Sequence, residues 1–152
     1  GGASQGDPSD TLAWTAPASF QSAPNPNAMR LATYRIGSAA GGGVAELSVT
    51  RAGGSPESNI TRWIAQFDHP SPSDVKQRVL QVGPLKVSLV EVLGTFTGGG
   101  MGAGGPEKNW MLIGAIVEEG DTSHFFKLTG PKAAVSAARA EFEKLVGSLH
   151  RK

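Results

Sequence analysis

The chain has 152 residues, a length typical of one folded domain built around a single core. Its 14 lysines and arginines nearly balance its 13 aspartates and glutamates, and the basic residues form no run before the last three positions, so the composition argues against nucleic acid as a partner. The absence of cysteine excludes disulfides, thiolate metal sites and cysteine nucleophiles. No apolar stretch approaches the roughly 20 residues that cross a bilayer, so we expect no membrane span.

Residues 1–11 are mostly small and polar, and we predict that they form a flexible tether ahead of a single α+β domain at 12–152. The chain begins without Met, and such a segment is similar to the tether that follows the signal peptide of a bacterial lipoprotein. We therefore expect an exported protein, periplasmic or lipid-anchored to the envelope through an upstream segment. A tag remnant followed by a disordered end would have the same composition.

The first predicted elements are a short strand at 12–14, anchored by Trp14, and two strands at 29–36 and 44–51. Residues 37–43 between the last two are rich in glycine and suit a hairpin turn. A helix follows, with Ser55 as its cap and Pro56 at its first position. Its apolar face is formed by Ile60, Trp63, Ile64 and Phe67. We expect it to end near Asp68, before the prolines at 70 and 72.

The second half of the chain is predicted to contain four strands, at 75–82, 86–96, 110–118 and 123–129, followed by a helix that begins at Pro131. An apolar stripe on that helix is predicted from the spacing of Val135, Ala138, Phe142, Leu145 and Leu149. The connections are short and hairpin-like, which favours an antiparallel sheet over a parallel one. The fold class is therefore α+β, with one antiparallel sheet covered by two helices.

Four landmarks of the chain resemble an uncharacterised family of bacterial exported proteins. They are Trp14-x-x-Pro17, Met29-Arg30-x-Ala32-Thr33-Tyr34, Asn59-x-x-Arg62-Trp63-x-x-Gln66 and the run from Phe125 to Pro131. The order of strands and helices resembles the fold shared by the photosystem II protein PsbP and a yeast Ran-binding nuclear import factor. This resemblance implies a PsbP-like α/β/α sandwich with six or seven antiparallel strands, and a non-enzymatic binding or assembly role. No residues match a manganese-cluster or Ran-contacting motif, so neither activity is carried over.

Known catalytic and cofactor motifs are missing from the sequence. Gly100, Gly102 and Gly105 satisfy G-x-G-x-x-G, but a strand rather than a helix follows, so we interpret them as a flexible hairpin loop. No G-x-S-x-G motif occurs. The three histidines, His69, His124 and His150, have no metal-binding spacing and are interpreted as surface residues, so we predict neither a metal nor a cofactor.

Charged residues inside predicted strands supply the candidate site. Glu91 alternates onto the face of Val87, Leu89 and Leu93, and Lys127 onto the face of Phe125. A partly buried charge needs a partner, and the two could pair with each other or with Arg62. On the first helix, Asn59, Arg62 and Gln66 form a polar stripe. Converging Arg, Lys and amide groups would suit a carboxylate or phosphate, whereas an internal salt bridge beneath the helix would explain the same residues structurally.

We therefore expect a binding or assembly-support domain of the bacterial cell envelope with an unknown protein partner, rather than an enzyme. The alternative is a small-molecule or anion-binding protein, or a hydrolase, that uses Asn59, Arg62, Gln66 and Lys127 with Glu91 or His124. A third hypothesis places the contact with a protein partner on the loop at 98–108 or on the arm at 17–27.

Overall fold

The structure is a computed structural model that describes residues 12–37, 43–98 and 106–152. In chain order its elements are β1 (Leu12–Ala13), β2 (Gln21–Ser22), β3 (Arg30–Gly37), β4 (Val44–Ala52), α1 (Pro56–Ile64), β5 (Val75–Val82), β6 (Leu85–Phe96), β7 (Glu107–Glu119), β8 (Thr122–Pro131), α2 (Lys132–Gly147) and β9 (His150–Arg151). The predicted tether at 1–11 and residues 99–105 of the predicted glycine-rich loop lie outside the described residues.

Seven strands form one antiparallel sheet in the order β2-β3-β4-β8-β7-β6-β5, and β1 pairs with β9 separately. The helices lie on opposite faces, because successive residues of β6 pack with different helices. Leu89 belongs to the core beneath α2 and Val90 to the core beneath α1. The predicted antiparallel sheet flanked by two helices is thus confirmed. Neither helix in the described part of the chain is long and apolar enough to cross a membrane.

The larger core lies between the sheet and α2. Its buried residues include the whole predicted stripe: Val135, Ala138, Phe142 and Leu145 on α2, and Leu149 just after the helix. The amino-terminal arm joins this core, since the indole Nε1 of Trp14 donates to the hydroxyl of Tyr34 at 3.0 Å. The Trp14 ring also packs edge-on against Phe126, with centroids 5.2 Å apart. The prediction that Trp14 anchors the arm is confirmed.

The smaller core lies beneath α1, where Trp63 rests on the middle of β7. A Cβ atom added at Gly114 would lie only 2.2 Å from Cζ3 of Trp63, so the glycine is what allows the indole to reach the sheet. The ring also meets Phe125 edge-on, with centroids 6.0 Å apart. The aromatic residues predicted to pack in cores are all buried: Trp63, Phe67, Phe126 and Phe142.

Two predicted element ends were wrong. The first helix ends at Ile64 rather than near Asp68, because the chain turns so that Phe67 forms an antiparallel bridge with Phe96 and the N–H of Asp68 donates to the carbonyl of Thr95 at 2.8 Å. The last helix, whose predicted stripe extends to Leu149, ends at Gly147. After α2, however, His150–Arg151 forms strand β9 against β1. Such long-range pairings leave little local signal in so short a strand.

Candidate functional site

The first turn of α1 fixes the positions of Asn59 and Arg62. Ser55 caps the helix, and its side-chain oxygen accepts from the N–H of Ser58 at 3.0 Å. Asn59 is 3% exposed: its Nδ2 donates to the carbonyl of Ser55 at 2.9 Å, and its Oδ1 accepts from the Arg62 guanidinium at 2.5 Å. Asn59 therefore holds the exposed Arg62 in place and is not itself accessible to a ligand.

Lys127 lies on the α1 face of β8, the same face as Phe125, as predicted. Its Nζ donates to Oε1 of Gln66 at 2.6 Å and lies 5.9 Å from the centroid of the Trp63 ring. The structure therefore brings Arg62, Gln66 and Lys127 together, with Asn59 behind them.

The surroundings of Lys127 disfavour its charge. Burial lowers the pKa of Lys127 to about 8, and the positive charges of Arg62 and Arg30 act in the same direction, while Glu46 opposes them. The hydrogen-bond acceptor is a neutral amide rather than a carboxylate. This arrangement differs from the internal salt bridge that would have explained the cluster structurally.

Lys127 lies at the boundary between an apolar area and a polar area on this face of the sheet. Opposite it on β7 is Gly114 beneath Trp63, whereas opposite it on β4 is Ser48, which in turn faces Thr33 on β3. Directly opposed residues of antiparallel strands point to the same side, so the polar residues form one surface. We call it the polar half-face and define it as Arg30, Thr33, Glu46, Ser48 and Lys127.

Arg30, which was not among the residues predicted from the sequence, joins strands β3 and β4 of the polar half-face. Its NH1 donates to Oγ1 of Thr33 at 3.1 Å and approaches Oε1 of Glu46 at 3.4 Å. Oγ1 of Thr33 donates in turn to Oδ1 of Asn25 at 2.9 Å. Alternation in the predicted strand at 44–51 places Glu46 and Ser48 on one side, but their proximity to Lys127 depends on β4 pairing with β8, which no local pattern encodes.

Glu91 does not belong to this cluster. Its predicted alternation with Val87 and Leu89 is correct, and those residues face α2, so the carboxylate lies on the opposite face from Lys127. Its partner is Arg139 of α2. The predicted pairing of Glu91 with Lys127 or Arg62 was therefore wrong. Alternation shows which residues of one strand share a face, but only the sheet order shows whether residues of two strands lie on the same face.

His124 also lies away from the cluster. It is on β8 three residues before Lys127, so its side chain points to the α2 side with Phe126. Its surface assignment was wrong: His124 is 0% exposed and its Nδ1 contacts Oε1 of Glu119, whose other oxygen is approached by Arg151. His69, by contrast, is exposed as predicted.

The cluster brings together groups that suit an anion: a guanidinium, an ammonium and an amide. His124 and Glu91, which the hydrolase alternative could have added to the cluster, both lie on the opposite face of the sheet from Lys127. Ser48 stands opposite Lys127, but the hydrogen bond of the ammonium goes to Gln66. No group of three or more acidic or histidine side chains able to hold a metal occurs in the ranges that the structure describes.

The architecture defines the chain as a protein of the PsbP-like fold. No protein-family model and no curated protein sequence matches it. It is similar to the solution structure of cyanobacterial PsbP (CyanoP) from Synechocystis, with a TM-score of 0.60 and 12% identity over 97% of this chain and 90% of that one. It is also similar to a mutant of the protein Mog1, with a TM-score of 0.57 and 11% identity over 92% of this chain and 90% of that one.

A third similar structure is a crystal structure of a protein from Bacteroides thetaiotaomicron. The TM-score is 0.53 and the identity 10%, over 93% of this chain but only 45% of that one. Identities this low establish a shared fold and do not transfer a function. The resemblance to bacterial exported proteins stays a prediction.

Proposed function

We propose that the protein is a non-enzymatic binding domain that captures an anionic group, a carboxylate or a phosphate-like oxyanion, at the polar half-face beside Arg62. The observation that carries this proposal is the environment of Lys127. It is a largely buried cation whose hydrogen-bond acceptor is the neutral amide of Gln66 and whose charged neighbours include two arginines. A buried charge ordinarily has an opposite charge as its partner. A bound anion would supply that missing charge.

The chemistry of the three cations fits this role. Arg62 is exposed and offers paired donors to a planar or tetrahedral oxyanion, while Lys127 contributes a point charge beside it. The side chain of Arg30 is 20% exposed, and Glu46 is the carboxylate that approaches it. With Arg30, Arg62 and Lys127 against Glu46, the cluster has an excess of positive charge, which favours anions over cations or neutral molecules.

The proposal is tested by titrating sulfate and citrate into the purified protein and following backbone amide shifts by NMR. We expect the shifts to concentrate at Arg62, Gln66 and Lys127, and Lys127→Gln to weaken binding about fivefold or more. Lys144→Gln is the matched control, because it removes the same charge from the exposed surface of α2. Equal weakening by both variants, or shifts spread over all basic residues, would mean nonspecific attraction and would contradict the proposal.

The location predicted in the bacterial envelope, and an assembly role with a protein partner, remain part of this proposal. They are supported by the resemblance of the landmark segments. A partner that binds here should present a carboxylate-rich or phosphorylated surface to Arg62. Fractionation of the source cells, with detection of the full-length protein in the envelope or the cytoplasm, tests the location separately from anion binding.

A further inference from the structure

A second candidate site lies on the other face of the sheet. α2 packs on β7, β8, β4 and β3. At the β5 edge a cavity of about 540 Å³ remains between the helix and strands β5 and β6. Its apolar walls are formed by Leu80, Val82, Leu89, Ile113, Phe142 and Val146. This volume lies within the roughly 300–1,000 Å³ of ordinary small-molecule sites.

Two ion pairs cross the cavity from the sheet to the helix. Arg78 of β5 contacts Glu143 of α2 at 3.1 Å, and Glu91 of β6 contacts Arg139 one helical turn earlier. Each pair is neutral as a whole. They connect β5 and β6 to a helix whose main packing is on β7, β8, β4 and β3.

The polarity of the lining changes along β5. Leu80 and Val82 line the end near the last turn of α2, together with Val146. Lys76 lines the opposite end, next to Glu91 and Arg139. Asp74 and Lys132 line the adjoining hollow beside Lys76, Glu91 and Arg139, and these five side chains together carry one positive charge in excess. The distance from Lys76 to Val82 along the strand is about 20 Å.

We propose that this cavity binds an amphipathic anion, an apolar body that carries one carboxylate, such as a medium-chain fatty acid. The apolar body lies against Leu80, Val82 and Val146, and the carboxylate meets Lys76. This site is separate from the polar half-face, since the two lie on opposite faces of the sheet, and it does not depend on the function proposed above. A small ligand accounts for the volume and for the excess of one positive charge at one end, which edge pairing with a second copy does not.

Decanoate, below its micellar concentration, is the probe, and decanol is its uncharged counterpart. In an NMR titration we expect decanoate to shift the amides of Leu80, Val82 and Val146 with saturation. Lys76→Gln should weaken decanoate binding about threefold to fivefold and leave decanol binding unchanged. Lys86→Gln, which removes an exposed lysine from the neighbouring strand, is the matched control. Leu80→Asp, which places a negative charge among the apolar walls, should abolish binding of both molecules.

Three results would overturn the proposal. The first is the absence of saturable shifts at the cavity. The second is weakening of decanoate by Lys127→Gln rather than by Lys76→Gln, which would assign the carboxylate to the polar half-face. The third is a concentration-dependent rise in molar mass with shifts confined to the outer edge of β5, which would make this edge an interface between copies of the chain. If Lys76→Gln does not weaken decanoate binding, the proposal of anion binding at Arg62 and Lys127 is unaffected. The two proposals are therefore tested separately.

Discussion

At position 127 the sheet holds a lysine whose neighbours are Trp63, Gln66 and two arginines. Desolvation and like charges both oppose its protonated form, so the lysine makes the fold less stable at neutral pH than an apolar side chain of similar length would. Residues that reduce stability in this way are concentrated at functional sites. The identity of this one residue is therefore the strongest residue-scale sign of a binding role.

Lys127→Met should raise the free energy of unfolding at pH 7 by about 1–2 kcal/mol. The folded-state pKa of Lys127 is about 8 and its ordinary value is 10.5, so the unfolded chain binds the extra proton between these values. The destabilisation from Lys127 is thus complete below pH 8 and disappears as the pH rises towards 10.5. Urea unfolding of the wild type and of Lys127→Met at pH 7 and pH 10 measures this effect on the free energy of unfolding.

Lys127→Met is therefore expected to raise the free energy of unfolding more at pH 7 than at pH 10. Lys144→Met, on the exposed surface of α2, controls for the general loss of a lysine. Equal effects of Lys127→Met at the two pH values would show that its ammonium is solvated and would contradict the inferred environment.

Gly114→Ala should destabilise the protein by about 2–4 kcal/mol, because the new methyl group would overlap the Trp63 ring and push α1 away from the sheet. Gly37→Ala is the control, since a Cβ atom there meets nothing within 4 Å and should change stability by about 0.5 kcal/mol or less. Thermal unfolding compares the two variants. A neutral Gly114→Ala would mean that Trp63 does not rest on β7.

At the scale of elements, the sequence predicted the types and order of the main strands and helices, because period-two alternation, the Ser55-Pro56 helix start and the apolar stripe of α2 are local patterns. It did not predict neighbours that come from distant parts of the chain. The pairing of β4 with β8 places Glu46 and Ser48 beside Lys127, and the position of α2 gives Glu91 its partner. The sequence did indicate that Arg62, Gln66 and Lys127 could converge, but the outer strands of the polar half-face and the cavity beside α2 depend on these long-range pairings and became visible only in the structure.

The Glu91–Arg139 ion pair, which joins β6 to α2, should contribute more than the Arg78–Glu143 pair. Its side chains are 21% and 38% exposed, against 54% for Arg78 and 50% for Glu143. Glu91 also raises the pKa of Arg139, mainly through their hydrogen bond. Double-mutant cycles with alanine should give coupling free energies of about 1 kcal/mol for the first pair and about 0.3 kcal/mol for the second. The reverse order would contradict the described packing.

At the scale of the whole molecule, the two helices are offset across the sheet. α1 covers β6, β7 and the near side of β8, and the polar half-face lies beside it on β3, β4 and β8. α2 and the Trp14 arm cover the other face, which leaves the apolar cavity open at β5. The protein thus presents two chemically different surfaces at diagonally opposite positions of its sheet.

The most direct test of the central claim is the affinity for sulfate at pH 7 and pH 9.5, measured at constant ionic strength by NMR. Sulfate keeps its charge over this range, whereas the pKa of Lys127, lowered to about 8 by burial, lies within it. We predict that sulfate binds Arg62 and Lys127 at pH 7, weakens about fivefold or more at pH 9.5, and in Lys127→Met binds weakly at both pH values. The same affinity for wild type and Lys127→Met at both pH values would contradict the claim.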